Sequence, residues 1–143
     1  MSKQVLSIEQ MQHLKELGVD DISKANFYWH RTKSLNNYEE WDEWKLHFGV
    51  LKLVHGFTTF NCEYVRTFTL QDIIDLLPKE IMPHTTPYSL YIDYQEMRVA
   101  YCFVDREGMC WLEPTFSIDE KELIDAAYEM LCWVIENGYL KVK

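Results

Sequence analysis

Apolar residues recur along this chain with two periods, near 3.6 and near 2, and the changes between them mark out its elements. Residues 8–17 read as a helix. Ile8, Met11, Leu14 and Leu17 recur every three residues, Ser7 is a good N-cap with Gln10 three positions on, and Gly18 supplies the stop. A three-residue spacing drifts around the helix, so this apolar face is broad. Residues 70–77 read as a short second helix, with Thr69 and Asp72 as its capping box, Leu70, Ile73, Ile74 and Leu77 on one face, and Pro78 closing it. The clearest helix is the last, over about 118–137. Leu123, Ile124, Ala127, Met130, Leu131, Val134 and Ile135 cover one arc centred on Ala127. Glu122, Asp125, Glu129 and Glu136 form a stripe opposite, flanked by Cys132 and Trp133 outside the ideal core arc. Ser117 and Glu120 supply a third capping box, and Asn137-Gly138 ends the helix.

The period-2 stretches lie elsewhere. Phe27-Tyr28-Trp29 centres a strand near 26–31. Residues 88–113 read as a three-stranded antiparallel meander. In its first strand Tyr88, Leu90, Ile92 and Tyr94 alternate with Ser89, Tyr91 and Asp93. Residues 98–104 form the second, Asp105-Arg106-Glu107-Gly108 the hairpin connection, and 109–112 the third. Either Val104 or Asp105 pairs with Met109, and the one-residue slip between them exchanges the two faces. Residues 34–68 give a poor pattern: Asn36-Asn37 marks a turn, 38–48 suit a short helix or an ordered loop, and 51–54 suit a strand. The expected architecture is a single α+β domain over 1–143, with the meander packed against the C-terminal helix and Ala127 permitting close approach.

Composition sharpens this picture. At 143 residues, 48% of them apolar, the chain can bury a core without a metal or a disulfide. Five Trp, nine Tyr and seven Phe exceed what a minimal core needs, so some should lie at a surface or an interface. The formal net charge of −9 repels phosphate backbones, and Lys and Arg are scattered singly, so neither direct nucleic-acid binding nor an anionic membrane surface is expected. Met1-Ser2-Lys3-Gln4 leads straight into the first helix with no apolar targeting segment, and no apolar run reaches the ~20 residues of a membrane span. A cytoplasmic protein with four reduced thiols, at 62, 102, 110 and 132, is the simplest reading.

Motifs for chemistry are sparse. Five dispersed glycines make no phosphate-cradling loop, and no nucleophile elbow is present. His47, His55 and Cys62 share one stretch, with His30 and His84 elsewhere, but no metal-ligand spacing links them. Cys102 faces Trp111 or Leu112 in either hairpin register, so Cys102 and Cys110 read as small buried apolar residues and not as a disulfide. The Glu122, Asp125, Glu129 stripe reads as a solvated helix face before it reads as paired catalytic carboxylates. No cofactor and no metal is called for. The most unusual segment is Tyr38-Glu39-Glu40-Trp41-Asp42-Glu43-Trp44, in which acidic residues interleave with large aromatics. It reads as a protein-binding site with aromatic anchors ringed by charge, or as an acidic surface helix whose tryptophans cover the core edge.

The stretch from Phe68 to Lys79 and the ending from Leu123 to Tyr139 resemble a group of uncharacterised small proteins from prophages and mobile elements of gut Bacteroidetes. The matching positions are helix caps and core residues. The resemblance therefore implies a fold, a bacterial cytoplasm and a mobile-element origin, and carries over no catalytic residue. Three readings follow. The first is a non-enzymatic accessory protein acting by protein–protein interaction. The second is an acidic inhibitor imitating nucleic acid, which requires rows of carboxylates on the folded surface. The third is a small enzyme of unrecognised type.

Overall fold

The computed structural model describes residues 3–19, 25–34, 41–49, 60–117 and 122–141. Its elements run α1 (Ile8–Glu16), β1 (Phe27–Ser34), β2 (Lys45–Phe48), β3 (Phe60–Thr67), α2 (Leu70–Leu76), β4 (Glu80–Ile81), β5 (Tyr88–Asp93), β6 (Arg98–Asp105), β7 (Gly108–Ser117) and α3 (Leu123–Glu136). The fold is α+β, with two antiparallel sheets ordered β2-β1-β3 and β4-β5-β6-β7.

Local chemistry sets the element ends. Ser7 and Gln10 form a reciprocal capping box on α1, and Thr69 and Asp72 do the same on α2. Gly18 takes a φ of +100° just past the α1 cap, a conformation that a side chain disfavours. In the hairpin, Val104 pairs with Met109 and Asp105 with Gly108, which leaves Arg106-Glu107 as a two-residue loop and puts Cys102 opposite Trp111. The meander gains a fourth strand, since Glu80 and Ile81 pair with Ser89 and Tyr88 in a stretch that its prolines mark as loop.

Four expectations need correction. Ser117 does not cap the last helix. It is the final residue of β7, opposite Arg98, and α3 begins at Leu123 with Glu122 as a cap that makes no side-chain bond. Residues 118–121 lie outside the described ones. Tyr94 falls beyond β5, in the turn, and is 64% exposed. Cys132 is buried in the core and Trp133 packs on it against Tyr139, so the buried arc of α3 is wider than one apolar stripe. Cys110 is half-buried and donates to Asp105 Oδ2 at 3.6 Å.

The core lies between the helices and one face of the four-stranded sheet. Met11 and Leu14 of α1, Ile73 of α2, Val99 and Tyr101 of β6, and Leu123, Ala127, Met130, Leu131 and Val134 of α3 belong to one buried cluster. The buried Tyr101 hydroxyl is satisfied by donating to the Pro78 carbonyl at 2.7 Å. The three-stranded sheet joins this core at one end. Leu6 O accepts from Trp29 Nε1 at 3.0 Å and from the buried Thr67 Oγ1 at 2.8 Å.

The acidic stripe of α3 is not simply solvated. Glu122, Asp125 and Glu129 are all half-buried, and Asp125 Oδ1 accepts from Lys3 Nζ at 2.7 Å and Gln10 Nε2 at 2.9 Å. Burial alone would raise this carboxyl. The Lys3 and Gln10 hydrogen bonds and the Lys3 charge outweigh it and hold Asp125 below the ordinary carboxylate value. A depressed folded-state pKa gives stability that is fully present above the unfolded value near 3.8 and is lost as pH falls from there through the lower folded-state value. Asp125→Asn should therefore lower stability by about 1–2 kcal/mol near neutral pH. Its thermal midpoint should draw closer to that of the wild type as pH falls below about 3.8; a gap of constant size across that range would remove the ion pair as the cause.

Candidate functional site

β1 is the central strand of the smaller sheet, and alternation along it sorts the neighbouring side chains onto two faces. Phe27, Trp29 and Arg31 share one face, on which Trp29 reaches Leu6 of the core, with Leu46 of β2 and Val65 of β3 at the partner positions of Trp29. This face runs beyond the core. Past Trp29 it carries Arg31, whose guanidinium lies 4.7 Å from the Trp41 ring centroid and 4.4 Å from that of Trp44. Arg31 Nε donates to Glu63 Oε2 at 2.7 Å across the β1–β3 ladder, and a second guanidinium nitrogen bonds the same oxygen. Two indole faces and one carboxylate thus enclose a single cation.

Backbone pairing holds this clamp in place. The Asp42 amide donates to Thr32 O at 2.9 Å, and the Thr32 hydroxyl donates to Asp42 Oδ2 at 2.9 Å. Lys45–Phe48 then continues as β2, in antiparallel register with Phe27–His30. Residues 41–44 are therefore an ordered loop, one of the two forms that the sequence allows, whereas 45–48 are a strand and not the short helix or loop expected there. Pairing with β1 supplies the backbone hydrogen bonds that isolated propensity could not reveal. Of the expected binding residues, Tyr38, Glu39 and Glu40 lie outside the described ones. Trp41 and Trp44 are half-buried against Arg31, while Asp42 and Glu43 are exposed beside them. Neither indole belongs to the core cluster or to the side chains packed on it.

The opposite face of the sheet was not anticipated. Tyr28 and His30 of β1, His47 of β2 and Tyr64 of β3 meet in a closed circuit of rings. Tyr28 stacks on His47 at 5.4 Å, His30 stacks on Tyr64 at 5.1 Å, and the edge contacts Tyr28–Tyr64 and His30–His47 measure 6.1 and 5.4 Å. Lys45 pairs with His30 and Arg66 with Tyr28 in the ladders, placing two permanent cations on the same face. Partial burial and the neighbouring His47 and Lys45 push His30 below the usual histidine value. Burial, with the bond to Cys62, pushes Tyr64 up. The signal for this face was the alternation of Cys62, Tyr64 and Arg66 with Glu63 and Val65, visible in the sequence but unassigned.

Elsewhere the candidates stay apart. Among the described residues no three His, Cys, Asp or Glu side chains gather closely enough to hold a metal ion. All four cysteines are free, with Cys62 exposed, Cys102 and Cys132 buried, and burial pushing the Cys132 thiol up to about 11. Exposed carboxylates are spread over α1, the clamp, α2, β4, both meander turns, β7 and α3, from Glu9 to Glu136, which counts against an imitation of nucleic acid. Among the described residues no helix is long and apolar enough to cross a membrane. No protein-family model, curated protein or solved structure matches this chain, so the clamp and the ring face carry the functional reading.

Proposed function

We propose that this chain is a non-enzymatic accessory protein of phage or mobile-element origin, acting in the bacterial cytoplasm by binding another protein at the Trp41–Arg31–Trp44 clamp. One observation carries this reading: two tryptophans outside the core cluster are held in fixed positions, with the exposed carboxylates of Asp42 and Glu43 beside them. Large aromatics ordered in advance lose little side-chain freedom on docking, and Trp is among the residues that dominate binding energy. The carboxylates at its rim would steer a basic partner surface toward it.

Photo-crosslinking tests the proposal. With a photo-reactive residue in place of the exposed Glu43, irradiation in the native cell should yield one prominent protein adduct. The same residue in place of the exposed Glu136, on α3, is the control. No adduct from position 43, or the same adducts from both positions, contradicts the proposal.

A further inference from the structure

One face of the three-stranded sheet gathers cationic side chains on an otherwise acidic chain. The chain carries 23 acidic residues against 14 Lys and Arg, which are scattered singly along the sequence. Strand pairing gathers Lys45 and Arg66 onto one surface with His30 and His47, around the rings of Tyr28 and Tyr64. None of these ladder positions is a carboxylate. Asp42, tied to Thr32, stands at one end. Lys45 and His47 are exposed, and Tyr28, His30, Tyr64 and Arg66 are half-buried, so the surface is open to contact. Arg66 donates to the Ala25 carbonyl at 3.0 Å, a neutral partner that leaves its charge uncompensated by that bond.

We infer that this face binds single-stranded nucleic acid, with bases stacking on the Tyr28–His47 and Tyr64–His30 rings and phosphates drawn to Lys45 and Arg66. Three adjacent strands offer a surface about 10 Å across, which suits an extended polymer. Stacking is tolerant of base identity because every base has a π-face, and aromatic rings beside a cationic track are the usual means of holding a single strand. An acidic polypeptide would answer the positive charge but, unlike a polynucleotide, does not bring an aromatic face with every repeating unit. The net charge of −9 opposes the ligand at long range, so binding should rest on few phosphates and on stacking. Two permanent cations predict a slope of log affinity against log salt of only about −1.4. The face is separate from the Trp41–Arg31–Trp44 clamp and does not rest on its function.

The test is an NMR titration of the intact chain at low salt with twelve-residue oligo-dT and oligo-U, and in parallel with a glutamate peptide of equal charge. Saturable shifts are expected at the rings of Tyr28, His30, His47 and Tyr64 with the oligonucleotides. Tyr64→Ala should weaken binding about tenfold, the loss of one stacked base, while Tyr28→Phe should bind like the wild type. The exposed Lys45→Glu and His47→Ala should weaken it several-fold with the folded spectrum intact, and they carry the test if Tyr64→Ala does not fold. No saturable binding, shifts confined to other elements, or wild-type affinity in both exposed variants overturns the inference. Equal or tighter binding of the glutamate peptide on the same rings overturns it in favour of an acidic protein segment.

Discussion

Leu131→Ala should destabilise the protein by about 2–5 kcal/mol, the usual range for removing a large apolar side chain from a core. Leu131 is fully buried, as are Ala127, Met130 and Val134 on the same helix and Tyr101 and Ile73 across from it. α3 packs against α2, β6 and β7 together, so the vacated volume is bounded by several elements and cannot readily collapse. Urea unfolding of the variant measures the effect, with the exposed Glu136→Ala as a control that should shift stability by less than about 0.5 kcal/mol. A loss below about 1 kcal/mol for Leu131→Ala would take this residue out of the core and undo the packing of α3 on the meander.

The second large effect lies in the clamp. Trp41 and Trp44 are half-buried, and the interaction that holds each to Arg31 is a cation–π contact worth about 0.5–2 kcal/mol. Because both indoles are only half-buried, truncating either to alanine should cost well under the ~3–5 kcal/mol of a fully buried aromatic. The pairwise term is measured by a double-mutant cycle of Arg31→Ala with Trp44→Ala, in which a coupling of about 0.5–2 kcal/mol is expected. The Glu63 carboxylate left behind by Arg31→Ala is 42% exposed, so water can solvate it and the cycle reads mainly the cation–π term. A coupling near zero would mean that the indole does not hold the guanidinium. A loss of several kcal/mol from each tryptophan would make the segment part of the structural framework and remove it as a docking surface.

The elements that could be read in advance are those specified by adjacent residues. A capping box needs two positions three apart, and the boxes on α1 and α2 sit where the sequence places them. The meander was legible because its strands alternate and its turns are short, and the register that the sequence left open is settled by Val104 pairing with Met109. The exception among the caps is instructive. Ser117 has the right neighbours for a cap, but pairing opposite Arg98 draws it into β7, a tertiary demand that no local pattern reveals. The smaller sheet escaped for the same reason. β2 is four residues long, and its extended form depends on β1, whose paired residues lie about 15 to 21 positions earlier. The clamp was half legible: Trp41 and Trp44 stood out, but their partner Arg31 is an ordinary residue of a strand until pairing brings it beneath them. The ring face draws on three strands, so nothing short of the register could assemble it. Residues 38–40 and 51–54, for which a site and a strand were expected, lie outside the described residues.

The claim that the clamp is where a protein partner docks is tested most directly by the crosslink from position 43 in a Trp44→Ala background. The exposed position keeps its reactive group, and the fold should survive the truncation, so the yield reports on docking alone. A folded protein destabilised by no more than about 2 kcal/mol, with a crosslink yield reduced at least tenfold, is the predicted result, in keeping with the ~2 kcal/mol or more that an anchor residue contributes to binding. An undiminished yield from a stably folded Trp44→Ala protein would contradict it.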